Sequence, residues 1–220
     1  MDNKSINENL LESLLAGDRQ SCSQIIGDTI KNNVSVEDIY EKNIKIALYE
    51  IGDLWERGKI SVATEHLASA IIESILNELY SGIISQKRTN KTIVAASLEN
   101  ETHQIGIKMV ADIFEMHGWN VHFLGANVPA KEMTSFVENS KPDLIALSMS
   151  IYFHLPQLEN MIKTIRECCS TLPIIVGGQG FRFWGDDVIS HYPNVVYLNN
   201  LYTLDLFIEN FNYHGQKHTY

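Results

Sequence analysis

The sequence predicts two successive domains, an all-α four-helix bundle followed by an α/β domain built on a five-stranded parallel sheet. Two observations support this. The first 88 residues contain no proline, and their apolar residues recur at spacings of three and four, which places them on one face of a helix. After a polar stretch at 86–91, short β-branched runs alternate with amphipathic segments, the pattern of a parallel sheet covered by helices.

The bundle is predicted over residues 1–88, with four helices near 5–16, 19–32, 36–57 and 61–85. Ser35 stands three residues before Asp38, which resembles a capping box at the start of the third helix. Gly58 is placed to end that helix. Four amphipathic helices with short connections predict an antiparallel bundle.

The second domain is predicted over 91–213, as a Rossmann-like (flavodoxin-like) fold, with 214–220 as a tail. Its five apolar runs are 92–97, 120–125, 144–149, 173–177 and 195–198. The helical segments between and after them lie near 104–117, 130–139, 155–170 and 181–190. Ligands of such folds bind at the carboxyl ends of the strands, so the loops there are the candidate functional site.

Composition excludes several classes of function. The chain has 17 Lys and Arg against 27 Asp and Glu, a formal charge of −10, which argues against direct nucleic-acid binding. No apolar run approaches the ~20 residues of a membrane span, and the N-terminus lacks a signal-peptide core. The three cysteines, Cys22, Cys168 and Cys169, do not form a disulfide framework, so a cytoplasmic protein is expected.

The loop after the first strand carries Glu101, His103 and Gly106. It lacks the glycine patterns of nucleotide-binding loops. A neutral imidazole is a strong ligand for a transition metal, and a carboxylate bound to its second nitrogen fixes its tautomer. The residues alone also fit a second interpretation, a helix N-terminus with acidic first-turn residues and a solvent-facing histidine.

Small residues also end three of the neighbouring strands. The third strand runs into Ser148 and Ser150, the fourth into Gly177 and Gly178, and the second into a loop containing Val128. Glycines at strand ends are often turns, but together these residues predict a slot lined by small side chains.

Three motifs in these loops resemble those of a known family: Glu101-x-His103-x-x-Gly106, Ser148-x-Ser150 and Gly177-Gly178. They are similar to the motifs of the cobalamin-binding domains of methionine synthase and corrinoid proteins, which also carry an N-terminal helical bundle. The resemblance implies that His103 is the lower axial ligand of cobalt and displaces the nucleotide base. It also implies that the serines and the glycine pair line the pocket of the base tail, with Val128 among the cofactor-binding residues.

This chain departs from the family at Glu101, where aspartate is usual. The extra methylene still permits the hydrogen bond to His103.

The bundle contains Trp55, then nine residues, then Glu65 and His66. If the chain turns at Gly58, these residues meet at one rim. An isolated tryptophan is more often a core residue, and Glu65 and His66 also fit a solvated helix surface. The spacing resembles the light-sensing adenosylcobalamin proteins of the CarH type. That resemblance implies that Trp55 packs on the adenosyl group, that Glu65 contacts it, and that His66 becomes the second axial ligand after light removes it.

We therefore expect a stand-alone cobalamin-binding light sensor, a binding module rather than an enzyme. Proteins of the CarH type usually carry an N-terminal helix-turn-helix domain, which we do not expect here because the predicted bundle begins within about ten residues of Met1. The expected output is a change in homo-oligomer assembly or in binding of a protein partner, a regulator or a methyltransferase. One alternative is a corrinoid methyl carrier, a component of a methyltransferase system, with methylcobalamin or another cobalamin. Another alternative is a scaffold that has lost cobalamin binding.

Overall fold

The computed structural model describes residues 3–182 and 189–216, with side chains over 5–182 and 189–212. The chain divides into two compact units, Met1–Ile83 and Ile84–Tyr220.

The first unit consists of helices, as predicted. They are α1 (Asn3–Ala16), α2 (Arg19–Lys31), α3 (Val36–Ile39), α4 (Lys45–Glu56) and α5 (Val62–Ile83). A π-helical turn, Tyr40–Ile44, joins α3 to α4, so the stretch 36–56 forms the single predicted third helix and the unit fits a four-helix bundle.

Both predicted boundary signals of the third helix are present. The Ser35 hydroxyl accepts a hydrogen bond from the Asp38 amide at 3.2 Å, which caps the N-terminus. At the other end Gly58 has a φ of +64°, and the amides of Gly58 and Lys59 donate to the carbonyls of Trp55 and Leu54. This pair of bonds is a Schellman motif, and its positive φ suits glycine.

The bundle core differs in detail from the predicted apolar stripes. Ile46 on α4 and Leu67 on α5 follow the apolar spacing of the sequence but are 41% and 48% exposed. The buried stripe of α5 starts one residue later, at Ala68. The largest fully buried aliphatic side chains are Leu10, Leu14, Ile26, Ile39, Ile44, Ile51, Ile72, Ile75 and Leu76.

The second unit contains the predicted five-stranded parallel sheet. Its strands are β1 (Thr92–Ser97), β2 (Asn120–Gly125), β3 (Leu144–Ser148), β4 (Ile174–Gly177) and β5 (Val195–Tyr197). The spatial order is β2-β1-β3-β4-β5, and every pairing is parallel. The helices whose bounds the structure describes are α6 (Ile105–Met116), α7 (Ala130–Ser140), α8 (Leu155–Cys168) and α9 (Leu201–Gln216), with 3-10 turns at Tyr152–His154 and Gln179–Phe181.

This strand order fixes where a ligand crevice lies. β1 pairs with β2 on one side and β3 on the other, so the connections after β1 and β3 leave in opposite directions and open a crevice at the carboxyl ends of these two strands. All residues of β3 are buried, as are those of β1 from Ile93 onward. β2 is an edge strand that is partly exposed on both faces.

The C-terminal helix α9 was not predicted. Leu201, Leu204 and Ile208 are buried at helical spacing, and the helix runs to Gln216, beyond residue 213. The predicted helix near 181–190 falls largely on 183–188, which includes Phe183 and Trp184 and lies outside the described residues, as do 217–220.

The polar stretch that precedes β1 makes contacts within the second unit. The Arg88 guanidinium is paired with Glu115 at 2.5 Å, and the Thr89 amide donates to the Gly118 carbonyl at 2.7 Å. The polar stretch at 86–91 therefore packs on the turn between α6 and β2.

Within the described parts of the chain, no helix combines the length and apolar character needed to cross a membrane.

Candidate functional site

A buried carboxylate lies at the centre of the candidate site. Glu101 follows β1, in the loop that leads to α6, and its side chain is 0% exposed. A buried carboxylate is stable only when hydrogen bonds replace the water it has lost, so its partners define the site.

Each oxygen of Glu101 has its own set of donors. Oε1 accepts hydrogen bonds from the ring Nδ1 of His103 and from the His103 amide, the latter at 3.1 Å. Oε2 accepts from the amides of Ser150 and Ile151 at 3.0 and 3.1 Å, and from the ring Nδ1 of His154 at 3.2 Å. The carboxylate thus joins the loops after β1 and β3 across the crevice.

These donors determine the charge of Glu101. Burial by itself raises the pKa of the carboxyl group, but the hydrogen bonds from the His103 ring and amide, the His103 charge and the Ser150 amide outweigh it and lower the pKa to about 2. Glu101 is therefore a fixed negative charge at neutral pH.

His103 is held at both its backbone and its ring. The Ser97 hydroxyl donates to the His103 carbonyl at 2.8 Å, while the side chain remains 52% exposed. Because an ionised carboxylate only accepts hydrogen bonds, the proton of a neutral His103 lies on Nδ1. Metal ligation would therefore use Nε2.

The alternative interpretation of this loop as a charged helix start is wrong for Glu101. α6 begins at Ile105 and has no acidic residue in its first turn. The carboxylate is buried against His103 instead of facing the helix dipole.

Two asparagines connect the loops after β1 and β2 by hydrogen bonds. The sequence analysis did not identify them. Asn100 and Asn127 have φ values of +66° and +54°, a region that asparagine tolerates better than most residues. The Asn127 side chain accepts from the Asn100 amide at 2.9 Å, and its own amide donates to the Glu101 carbonyl at 2.8 Å. Positive φ values cannot be read from spacing, so no pattern in the sequence indicated them.

The predicted small residues meet at the same edge of the sheet. Ser148 is aligned with Ser97 on β1 and with Gly177 on β4. Among the described residues, a Cβ added to Gly106 would meet only the Ser148 hydroxyl, at 3.8 Å, an ordinary contact. The packing of this described part of the chain therefore does not require glycine at position 106.

The glycine pair is different, because the protein's own backbone requires it. A Cβ on Gly178 would lie 2.4 Å from the Met149 carbonyl, and the residue has a φ of +110°. A Cβ on Gly177 would lie 2.9 Å from the Leu198 carbonyl. Val128 belongs to the core of this unit, with 9% exposure.

The residues singled out in the first unit occupy adjoining helix ends. Trp55 is in the last turn of α4 and is 47% exposed, so its interpretation as a core residue is wrong. Glu65 and His66 are in the first turns of α5, after the turn at 57–61. Glu65 Oε2 lies 2.5 Å from His66 Nδ1, and the His66 side chain is 74% exposed.

In the described part of the chain, no group of three or more His, Cys, Asp or Glu residues is arranged to hold a metal ion.

Two family models match the chain. A B12 binding domain matches residues 91–199, and a second B12 binding domain matches residues 6–80. Together they cover most of both units.

Curated relatives are of two kinds. Dimethylamine corrinoid protein 1 of Methanosarcina acetivorans is 26% identical over 165 residues, 72% of this chain and 76% of that protein. The HTH-type transcriptional repressor CarA of Myxococcus xanthus is 27% identical over 124 residues, and CarH of the same organism is 25% identical over 177. The matched regions span 43% of CarA and 58% of CarH.

Among solved structures, the monomethylamine corrinoid protein of Methanosarcina barkeri matches with a TM-score of 0.80. It is 15% identical, and the match covers 94% of this chain and 98% of that one. The likeness establishes the fold.

Proposed function

We propose that this chain, which belongs to the B12-binding family, is a light sensor that uses adenosylcobalamin. When bound, this cofactor supplies a cobalt ion in a corrin ring and a cobalt–carbon bond that visible light breaks. Cobalamin binding follows from the family. The form of the cofactor, the axial ligands and the response to light are the proposed part.

The lower axial ligand in this proposal is Nε2 of His103. The corrin supplies four nitrogen ligands of its own, so the protein needs to supply only one. His103 is half-exposed at the carboxyl edge of the sheet, and its Nδ1 is bound to the buried, ionised Glu101. This arrangement orients the ring and raises the basicity of the ligating nitrogen.

The tail pocket is proposed at the small residues around the same crevice. At Gly106 the described residues leave room for a Cβ, whose nearest neighbour is the Ser148 hydroxyl at 3.8 Å. The other proposed lining residues are Val128, Ser148, Ser150, Gly177 and Gly178.

The observation that carries the sensor proposal is the arrangement of Trp55, Glu65 and His66. Trp55 is 47% exposed, so its indole ring is accessible to a ligand. Near the start of the next helix, Glu65 binds His66 at Nδ1, as Glu101 binds His103. Trp55 and Glu65 are the proposed contacts of the adenosyl group, and His66 the upper ligand once that group has left.

In this proposal the protein is cytoplasmic. It transmits the change of upper ligand by altering its homo-oligomer or its binding to a protein partner. The adenosyl group occupies volume that His66 needs, so the ligand distinguishes two states of the bundle.

A corrinoid methyl carrier is the second candidate. It is favoured by the match to dimethylamine corrinoid protein 1, which extends over about three-quarters of both chains. Such a carrier would present methylcobalamin to a methyltransferase and would need an open upper face.

The test is to load the protein with adenosylcobalamin in the dark. Absorption spectra and molar mass by light scattering are then recorded before and after green light. The sensor proposal predicts that light changes both. His66→Ala should bind the cofactor but give a different illuminated spectrum, and His103→Ala should lose histidine ligation in the dark. His122→Ala, an exposed histidine on β2, is the control.

Identical spectra and mass before and after light would overturn the sensor proposal. Methyl transfer from the methylcobalamin form to a thiol, in the presence of a corrinoid methyltransferase, would then establish the carrier. If His66→Ala gives the same spectrum and mass after illumination as the unsubstituted chain, His66 is not the upper ligand.

A further inference from the structure

We propose that His154 is a positioning residue of the axial site, which acts on His103 through the carboxylate of Glu101. This inference rests on the proposed role of His103 as a cobalt ligand. The motifs in the sequence did not include His154, which is 53 positions from Glu101.

The two ends of the Glu101 carboxylate have different roles. Among the described residues, Oε1 binds the backbone and ring of His103, so it sets the direction of that ring. Oε2 binds the Ser150 and Ile151 amides and the ring of His154. Rotation of the carboxylate about its Cγ–Cδ bond would break the contacts at both oxygens, so the donors on Oε2 fix the position of Oε1.

His154 is the side-chain donor within the Oε2 group. It stands at the N-cap of α8, yet its side chain makes no capping bond to that helix. Its neighbour Phe153 is 85% exposed, whereas the His154 side chain is 15% exposed and points to Glu101. The ring therefore binds the carboxylate instead of capping its own helix.

Loss of the His154 donor should loosen the carboxylate without unfolding the loop. The Ser150 and Ile151 amides still hold Oε2, so Glu101 stays buried. With one of the three donors on Oε2 gone, the Glu101 carboxylate and the His103 ring move more freely. Binding of cobalt by His103 must then restrict this motion. Partners of this kind commonly change metal affinity by 10- to 100-fold.

The experiment uses cob(II)inamide, a corrinoid without a nucleotide base, so that any axial nitrogen comes from the protein. Its electron paramagnetic resonance (EPR) spectrum shows splitting by an axial nitrogen, which gives the fraction of bound corrinoid ligated by histidine. Four forms of the full chain are compared: the unsubstituted chain, His154→Leu, His154→Asn and His154→Gln. His122→Leu is the control for loss of a histidine elsewhere in the same unit.

We expect His154→Leu to lower the ligation constant roughly tenfold while the corrinoid stays bound. The Asn amide nitrogen stands close to the place of imidazole Nδ1, so His154→Asn should restore most of the ligation. His154→Gln places its amide one bond farther out and should be intermediate. A residue that acts only by packing would not produce this order.

Equal ligated fractions in the unsubstituted chain and His154→Leu would overturn the inference and leave the role of His103 intact. Equal losses in the Leu and Asn variants would also overturn it. If His154→Leu does not fold, the comparison of Asn with Gln decides, and equal ligation in these two counts against the inference. If the unsubstituted chain shows no nitrogen splitting, both the inference and the proposed ligand fall.

Discussion

Replacement of Glu101 by glutamine is the sharpest perturbation of the site that preserves its shape. Glutamine has one acceptor oxygen and one NH2 group in place of two acceptor oxygens. Whichever way the amide turns, its NH2 group faces N–H donors, either those of His103 or those of Ser150, Ile151 and His154. The substitution therefore removes the charge and sets donors against donors.

The expected loss of stability follows from the pKa. The folded protein lowers the pKa of Glu101 from its ordinary value of 4.5 to about 2. This difference corresponds to about 3 kcal/mol of free energy of unfolding at neutral pH. Because the pKa is lower in the folded state, this contribution is fully present above pH 4.5 and is lost as the pH falls from 4.5 towards 2.

The assay is urea unfolding of the protein without cofactor, followed by hydrogen exchange in peptides covering β1 and β3. These peptides report on the second unit alone. The difference between the unsubstituted chain and Glu101→Gln should be about 3 kcal/mol at pH 7 and should shrink below pH 4.5. Glu99→Gln, a half-buried glutamate in the same loop, is the matched control and should change stability by less than about 0.5 kcal/mol.

A loss under about 1 kcal/mol at pH 7, or one equal to that of Glu99→Gln, would refute the reasoning. A difference that stays constant down to pH 3 would show that the lowered pKa is not its cause.

Three further predictions concern the fold. Gly178→Ala should cost more than about 2 kcal/mol, because its Cβ meets the Met149 carbonyl at positive φ. Gly27→Ala should instead stabilise α2 by about 0.5 kcal/mol, because no described atom outside its own helix turn lies within 4 Å of the new Cβ. Equal effects of the two substitutions in urea unfolding would contradict this. Ser35→Ala should cost about 1 kcal/mol through the lost cap, and an unchanged thermal midpoint of the first unit would count against the cap. Arg88→Ala should cost about 1–2 kcal/mol by leaving the buried Glu115 carboxylate without its guanidinium, and unaltered exchange protection of α6 would disprove the role of that pair.

The architecture could be predicted because its signals are local and periodic. The four helical stretches, the five apolar runs and the cap at Ser35 each follow from spacings within one segment. α9 has the same helical spacing of apolar residues, at Leu201, Leu204 and Ile208, so it could have been predicted in the same way.

The site could be predicted only in part. The Glu101–His103 contact joins residues two positions apart, so spacing revealed it. His154 reaches Glu101 from a different loop, and Asn127 does so through a positive φ. Such contacts arise when the strand order brings distant loops to one edge, and no local pattern encodes them. The ion pair between Arg88 and Glu115 also joins residues far apart in the sequence. The stretch at 86–91 has the composition of a free linker, so nothing in it indicated this contact.

The central claim is that one nitrogen of His103 binds cobalt. The most direct test is the EPR spectrum of the cob(II)inamide complex of protein labelled with 15N-histidine. The account predicts that each line split into three by a 14N ligand becomes split into two, and that the splitting disappears in His103→Ala. A spectrum without nitrogen splitting, or one that His103→Ala leaves unchanged, would contradict it.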